Sequence, residues 1–178
     1  MTPHTILDSA GLDRTLRRLA HEVSERAGGN EFVLIGIQTR GVPLAERLAK
    51  IVGEIESREI PFGAIDVTLY RDDYRTTLKS EIPHGNQLPF SVDDKNIILV
   101  DDVLFTGRSV RAAIDELISF GRPGKIQLLV LIDRGHRQLP IRADYVGKNV
   151  PTSVDDKVKV KIAEVDGEDS VVLFRQEA

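Results

Sequence analysis

The chain has 178 residues, 28 acidic against 24 basic, with four His and no Cys, for a formal charge of −4. Without cysteine, a disulfide framework, a thiolate nucleophile and a thiolate metal site are all excluded. An acidic chain has no general field that attracts nucleic acid, so any such contact must come from a local basic patch.

Ser9–Ala27 reads as the first helix, with Leu12, Leu16, Leu19, Val23 and Ala27 on one stripe and Gly28-Gly29-Asn30 ending it. At about 100° per residue, Arg14, Arg17, Arg18 and His21 project together from the opposite face. Arg26 lies toward a flank, and Glu22 and Glu25 temper the charge. This face is either a solvated basic surface or a contact surface for phosphates.

Glu31–Ile37 (EFVLIGI) is a buried strand, followed by Gln38-Thr39-Arg40-Gly41 and a helix over about 42–52. A loop at the C-terminal end of a strand, with a helix behind it, is where open α/β sheets bind ligands. Arg40 adds a fixed cation suited to a two-pronged oxyanion contact. Ala64–Tyr70 (AIDVTLY) reads as another strand, ending in Arg71-Asp72-Asp73-Tyr74. The stretch 75–91, with Pro83, Gly85 and Pro89, lacks a period and reads as a long loop, of the length that often serves as a lid.

The most informative stretch is Asn96–Arg111, NIILVDDVLFTGRSVR. Ile97–Val100 is a short apolar run of the kind buried in a parallel sheet. Asp101 and Asp102 follow it, then the turn Val103–Arg108. From Ser109 a helix begins, with Val110, Ile114, Leu117 and Ile118 at helical spacing. A loop feeding a helix N-terminus offers unpaired N–H groups and the positive end of a dipole to a phosphate. Gly107 permits close approach, and the Thr106 and Ser109 hydroxyls can add hydrogen bonds. Two carboxylates beside that phosphate make sense if the ligand also carries hydroxyls, a cation or a developing positive charge. A ribose 5-phosphate fits. A phospho-acceptor receiver domain would carry its acidic pair near the N-terminus, and neither GxxxxGK[ST] nor GxGxxG occurs.

Ile126–Ile132 (IQLLVLI) is a further buried strand. Residues 133–149, DRGHRQLPIRADYVGKN, concentrate Arg134, His136, Arg137, Arg142 and Lys148 with little periodicity. Lys157–Ile162 alternates strictly and pairs with Val171–Arg175 across the Asp166-Gly167 turn as a closing hairpin. Neither a repeat nor a linker is evident. The expected architecture is one α/β domain over 1–178: a mostly parallel sheet flanked by helices, with a small cap (hood) and a C-terminal hairpin. No apolar run approaches the roughly 18 residues of a membrane span, and the start, MTPHTILDSAG, has no leader pattern. A soluble cytoplasmic protein without membrane contact is expected.

IILVDDVLFTGRS resembles the phosphoribosyl-diphosphate (PRPP) motif of type I phosphoribosyltransferases, and GIQTRG resembles their pyrophosphate loop. GIQTRG, DVTLYRDD, LVDDVLFTGRS and DRGHRQLPIRADYVGKNVPTS, in that order, are similar to bacterial regulators of pyrimidine-operon attenuation that also act as uracil phosphoribosyltransferases. The resemblance runs to about Ser153 and is weaker at 75–91 and in the tail. It implies binding of pyr operon mRNA in response to uridine nucleotides (UMP, UTP), and conversion of uracil and PRPP to UMP and diphosphate. The alternative is a salvage phosphoribosyltransferase without an RNA role.

The resemblance also implies roles. Asp101 and Asp102 would hold the ribose hydroxyls, and Val103, Leu104, Phe105, Thr106, Gly107, Arg108 and Ser109 the 5-phosphate. Thr39, Arg40 and Gly41 would take the pyrophosphate. Asp101, Asp102 and Arg40 would carry the catalysis. Mg²⁺ would arrive on PRPP near the two aspartates, with no metal site built by the protein alone. The base would lie near Val130, Asp133 and Arg134, and Arg71, Asp72 and Asp73 would belong to the lid. RNA would meet Arg17, Arg18, His21, Arg26, His136, Arg137, Arg142 and Lys148. Arg17 departs from the family pattern, which has a small hydroxyl residue there. The family forms dimers and larger assemblies, so a homo-oligomer is expected.

Overall fold

Residues 33–37 carry no polar side chain, so they are stable only between two apolar layers. In the computed structural model, which describes residues 2–68 and 85–176, they form β2 (Val33–Ile37), buried at every position. Around it β3 (Phe62–Ile65), β4 (Asn96–Leu104), β5 (Lys125–Asp133) and β6 (Tyr145–Asn149) complete a parallel sheet in the order β3-β2-β4-β5-β6. The register pairs Leu34 with Ile98 and Ile35 with Leu99.

Alternate residues of these strands feed two cores. On one face Leu34, Ile98, Val100 and Leu129 pack with Leu12, Leu16 and Leu19 of α1 (Ser9–Ala27) and with Leu44 and Leu48 of α2 (Gly41–Glu56). On the other, Ile35, Leu99 and Val130 pack with Val110, Ala113 and Leu117 of α3 (Arg108–Phe120). The first helix spans Ser9–Ala27 and ends on left-handed Gly28, as its sequence predicts, and it starts where Asp8 accepts the Gly11 N–H at 2.7 Å.

Strand β4 extends past the apolar run: Asp101, Val103 and Leu104 still pair with Val130, Ile132 and Asp133 of β5. Its pairing with β2 stops at Gly36–Val100. The chain leaves β2 for β3 on one side and returns on the other as β4, so the sheet reverses its winding between β2 and β4. That switch point opens a crevice at the carboxyl ends of the two strands.

A second sheet, antiparallel, closes over this end: β1 (Thr2–Leu7), β8 (Ser170–Arg175) and β7 (Lys157–Lys161), in the order β1-β8-β7. The expected hairpin is therefore present, but a helical turn, α4 (Ala163–Asp166), connects its arms, and the N-terminal segment adds a strand. Two further expectations are corrected. Of the strand expected at 64–70, the described part runs as β3 over 62–65, where Asp66 accepts the Thr68 N–H at 2.9 Å and turns the chain; residues 69 and 70 lie outside the described residues. The stretch 133–149 is not wholly irregular, since its last five residues form β6. Among the described residues no helix is long and apolar enough to cross a membrane.

Candidate active site

The crevice between β2 and β4 holds a cavity of about 540 Å³. Its floor is the sequence the motif singled out: Asp101 and Asp102 at the end of β4, residues 103–107, then Arg108, Ser109 and Val110 opening α3. Gly107 precedes the helix at φ 92°, a left-handed conformation that glycine adopts without strain. The N-cap residue Gly107 offers no side-chain cap; the Arg108 N–H donates to Thr106 Oγ1 at 3.4 Å, and a helix start of this kind suits an anion.

The carboxylates are held by the backbone that follows them. Asp101 accepts the Asp102 N–H at 2.9 Å, and Asp102 accepts the Val103 N–H at 2.8 Å. Asp101 is buried, at 7% exposure. The second loop reaches the same place by tight packing. A Cβ on Gly41 would lie 2.4 Å from the Val100 carbonyl oxygen, and one on Gly36 would lie 2.4 Å from the Gly41 oxygen. Only glycine at both positions lets the turn at 38–40, which contains a cis peptide between Gln38 and Thr39, fold back against β4. Arg40 thereby lines the same cavity as the acidic pair.

Arg40 also makes a two-pronged ion pair with Asp166 of α4, through Nε at 3.0 Å and Nη2 at 2.8 Å. About two helical turns further along α2, Arg47 grips Glu164 and Asp169. The arginines hold all three carboxylates below the usual carboxylate range, chiefly by direct hydrogen bonding. The Arg47 guanidinium is raised for the same reason. This clasp fastens the antiparallel sheet to the parallel core.

The roof of the cavity is β7, through Val158, Lys159 and Val160. The sequence read these three only as an alternating strand; the KVKVK alternation told which faces were apolar, not that the strand crosses the crevice. Arg134 closes the side. It is 7% exposed, its Nη2 donates to the Ser153 carbonyl at 2.9 Å, and its guanidinium lies over the Phe105 ring. Burial lowers its pKa from the ordinary value, though a guanidinium stays charged there.

Of the three residues expected near a base, Arg134 alone lines the cavity. Val130 is fully buried in the sheet core. Asp133 pairs with Arg137 at 2.5 Å and accepts the Gly135 N–H at 3.0 Å. The expected lid residues Arg71, Asp72 and Asp73 lie outside the described residues. Thr39 sits in the turn before α2 and does not line the cavity.

The basic residues divide in two. Arg18 pairs with Glu22 and donates to the Gly147 carbonyl. Arg26 donates to the Asp144 carbonyl at 2.8 Å and stacks on Tyr145. Arg17 pairs with Asp13 on its own helix. Arg137 is half-buried and donates to Phe105, Gly135 and Ile141 carbonyls as well as to Asp133. His136 is exposed with Nε2 2.6 Å from the Thr152 carbonyl oxygen. Arg14, His21, Arg142 and Lys148 are exposed, and the side chains of these four make no hydrogen bond or ion pair among the described residues. Strand β6 packs beside α1, and Arg18 of the basic helix face reaches the carbonyl of Gly147, the residue before Lys148.

Residues 4–166 match the phosphoribosyl transferase domain family. The chain is 56% identical over 170 residues to the bifunctional protein PyrR of Pelotomaculum thermopropionicum, covering 95% of this chain and 94% of that one. It is 56% identical over 174 residues to the bifunctional protein PyrR of Deinococcus radiodurans, covering 97% and 95%. Among solved structures, the hypoxanthine phosphoribosyltransferase of Trypanosoma cruzi superposes with a TM-score of 0.74 at 17% identity, over 97% of each chain. At that identity the likeness concerns the fold.

Proposed function

Because the chain belongs to the phosphoribosyl transferase family, and within it groups with the bifunctional PyrR proteins, we propose that it both regulates and catalyses. It binds pyrimidine-operon mRNA in response to uridine nucleotides, and it converts uracil and PRPP to UMP and diphosphate. One observation carries the catalytic half: an acidic pair, a helix-start anion cradle and an arginine converge on a single cavity at the switch point. The RNA half is supported by the high identity to proteins named bifunctional and by exposed basic residues of α1 and β6.

In this reading the 5-phosphate lies in the loop 103–109 and the ribose hydroxyls against Asp101 and Asp102. Arg40 meets the diphosphate, and the base lies under β7 beside Arg134. Displacement at the anomeric carbon develops positive charge on the ribose, which the two carboxylates favour. Holding both reactants in one crevice removes much of the entropic barrier. Mg²⁺ fits the donor set: Asp101 and Asp102 would supply carboxylates at the cavity floor. Such an ion takes most ligands from substrate oxygens and water. When bound, it neutralises charge on the departing diphosphate.

The test measures two quantities on one preparation: uracil-dependent diphosphate release, and attenuator-RNA affinity with and without UMP. Turnover together with UMP-strengthened RNA binding is the expected result. Turnover with no RNA binding would leave a salvage enzyme; absence of turnover would remove the catalytic half.

A further inference from the structure

Asp166 lies 126 residues from Arg40 in the chain, in the turn α4 that joins two strands of the antiparallel sheet, yet it takes both prongs of the Arg40 guanidinium. The carboxylate is itself fixed. Its Oδ2 also accepts the Ile162 N–H at 2.8 Å, and Arg47 anchors the same turn independently through Glu164 and Asp169. Arg40 lines the cavity and Asp166 does not, so the carboxylate holds the guanidinium from outside the site. An arginine side chain is long and rotamer-rich, and a bidentate carboxylate sets both its position and its plane.

We propose that Asp166 is the positioning residue for Arg40, aiming its guanidinium at the diphosphate group of the substrate. The inference rests on reading Arg40 as the diphosphate contact. It has a built-in opposite: a carboxylate near a dianionic group repels it, so a merely competing Asp166 would weaken diphosphate binding. Positioning prevails because the cation stands at the cavity with the carboxylate behind it, and a misplaced contact costs more than screened repulsion across a guanidinium.

The experiment titrates magnesium diphosphate and, separately, UMP into the wild type and its variants by calorimetry. Asp166→Asn is expected to weaken diphosphate binding roughly 10- to 100-fold, the range for losing an orienting partner, with UMP affinity changed less than about twofold by the same argument. Arg40→Lys keeps the charge but cannot make the two-pronged bond, and should match Asp166→Asn. In an Arg40→Ala background, Asp166→Asn should add nothing. Glu164→Gln, which breaks another contact of the same turn, should leave diphosphate affinity intact.

Unchanged or tighter diphosphate binding in Asp166→Asn would overturn the assignment. So would an added loss in the Arg40→Ala background, equal losses for UMP and diphosphate, or no diphosphate binding by the wild type. Diphosphate binding is read without turnover, so a protein that binds it through this pair but cannot use uracil would sink the proposed reaction and leave this inference standing.

Discussion

The Arg134 guanidinium carbon lies 4.1 Å from the centroid of the Phe105 ring, so the residue after β5 rests on the loop after β4. His136 meets the same ring edge-on, with centroids 6.1 Å apart. Arg137 donates to the Phe105 carbonyl at 2.9 Å, and the Gln138 and Leu139 N–H groups donate to the Thr106 carbonyl. The two loops are one mechanical unit. Phe105→Leu keeps apolar bulk but loses the ring quadrupole. The expected cost is about 1 kcal/mol of stability, read by denaturant titration, with UMP binding weakened in parallel.

The acidic pair gives the most direct catalytic test. Asp101→Asn with Asp102→Asn preserves the oxygens that accept the next N–H groups, so the fold should persist. Diphosphate release should fall by at least about 10²-fold, as when a group that stabilises the transition state is lost. Turnover close to wild type in a variant with a native melting curve would refute the assignment.

Much of this site was legible before the fold was. Ile97–Ser109 announced its own geometry, because a buried strand, two carboxylates and a helix start are consecutive in the chain and need no tertiary information to be placed together. Val130 and Asp133 show where that reasoning stops. They are as near the site in sequence as Arg134, but the pleat turns Val130 into the core, and Asp133 is claimed by Arg137. Strands β1 and β6 were missed for a related cause. TPHTIL and YVGKN have weak patterns, and β1 exists only through pairing with β8, at the other end of the chain. The clasp was invisible for the same reason: Glu164, Asp166 and Asp169 look like turn residues until α2 meets them.

That clasp predicts an acid response. Glu164, Asp166 and Asp169 have folded-state pKa values below their ordinary ones, with hydrogen bonds from Arg47 or Arg40 as the leading cause. A depressed carboxylate adds stability that is fully present above its unfolded pKa and is lost as pH falls through the folded one. Their contribution should be constant from neutrality to about pH 5 and fade below about pH 4, where carboxylates ordinarily titrate. Melting curves across this range should show a smaller acid loss in Arg47→Gln than in the wild type. An identical loss would mean that other groups set the acid limit.

On the basic side, the structure separates charge from scaffolding. Arg14→Gln with Lys148→Gln removes two cations that have no hydrogen bond or ion pair among the described residues. If RNA phosphates meet these two residues, affinity should fall and each lost contact should flatten the salt dependence by on the order of 0.7 to 0.9, with the melting temperature unchanged. Arg18→Gln with Arg26→Gln should do the same and also lower the melting temperature, because those residues hold carbonyls at residues 144 and 147. An RNA affinity and salt slope untouched by all four changes would sink the assignment of this side to RNA.

The bonds from Arg18 and Arg26 have another consequence. Strand β6 is the outermost strand on its side of the parallel sheet, and a bare margin of that kind invites a neighbouring molecule to add a strand. Two guanidinium groups from α1 occupy carbonyls at and just before β6, and their charge repels a second copy carrying the same arginines. If RNA phosphates meet these arginines, the surface offered to a polyanion is also the seal on the sheet. Neutralising it fully would then weaken RNA binding and, at the same time, make the protein prone to join itself edge to edge.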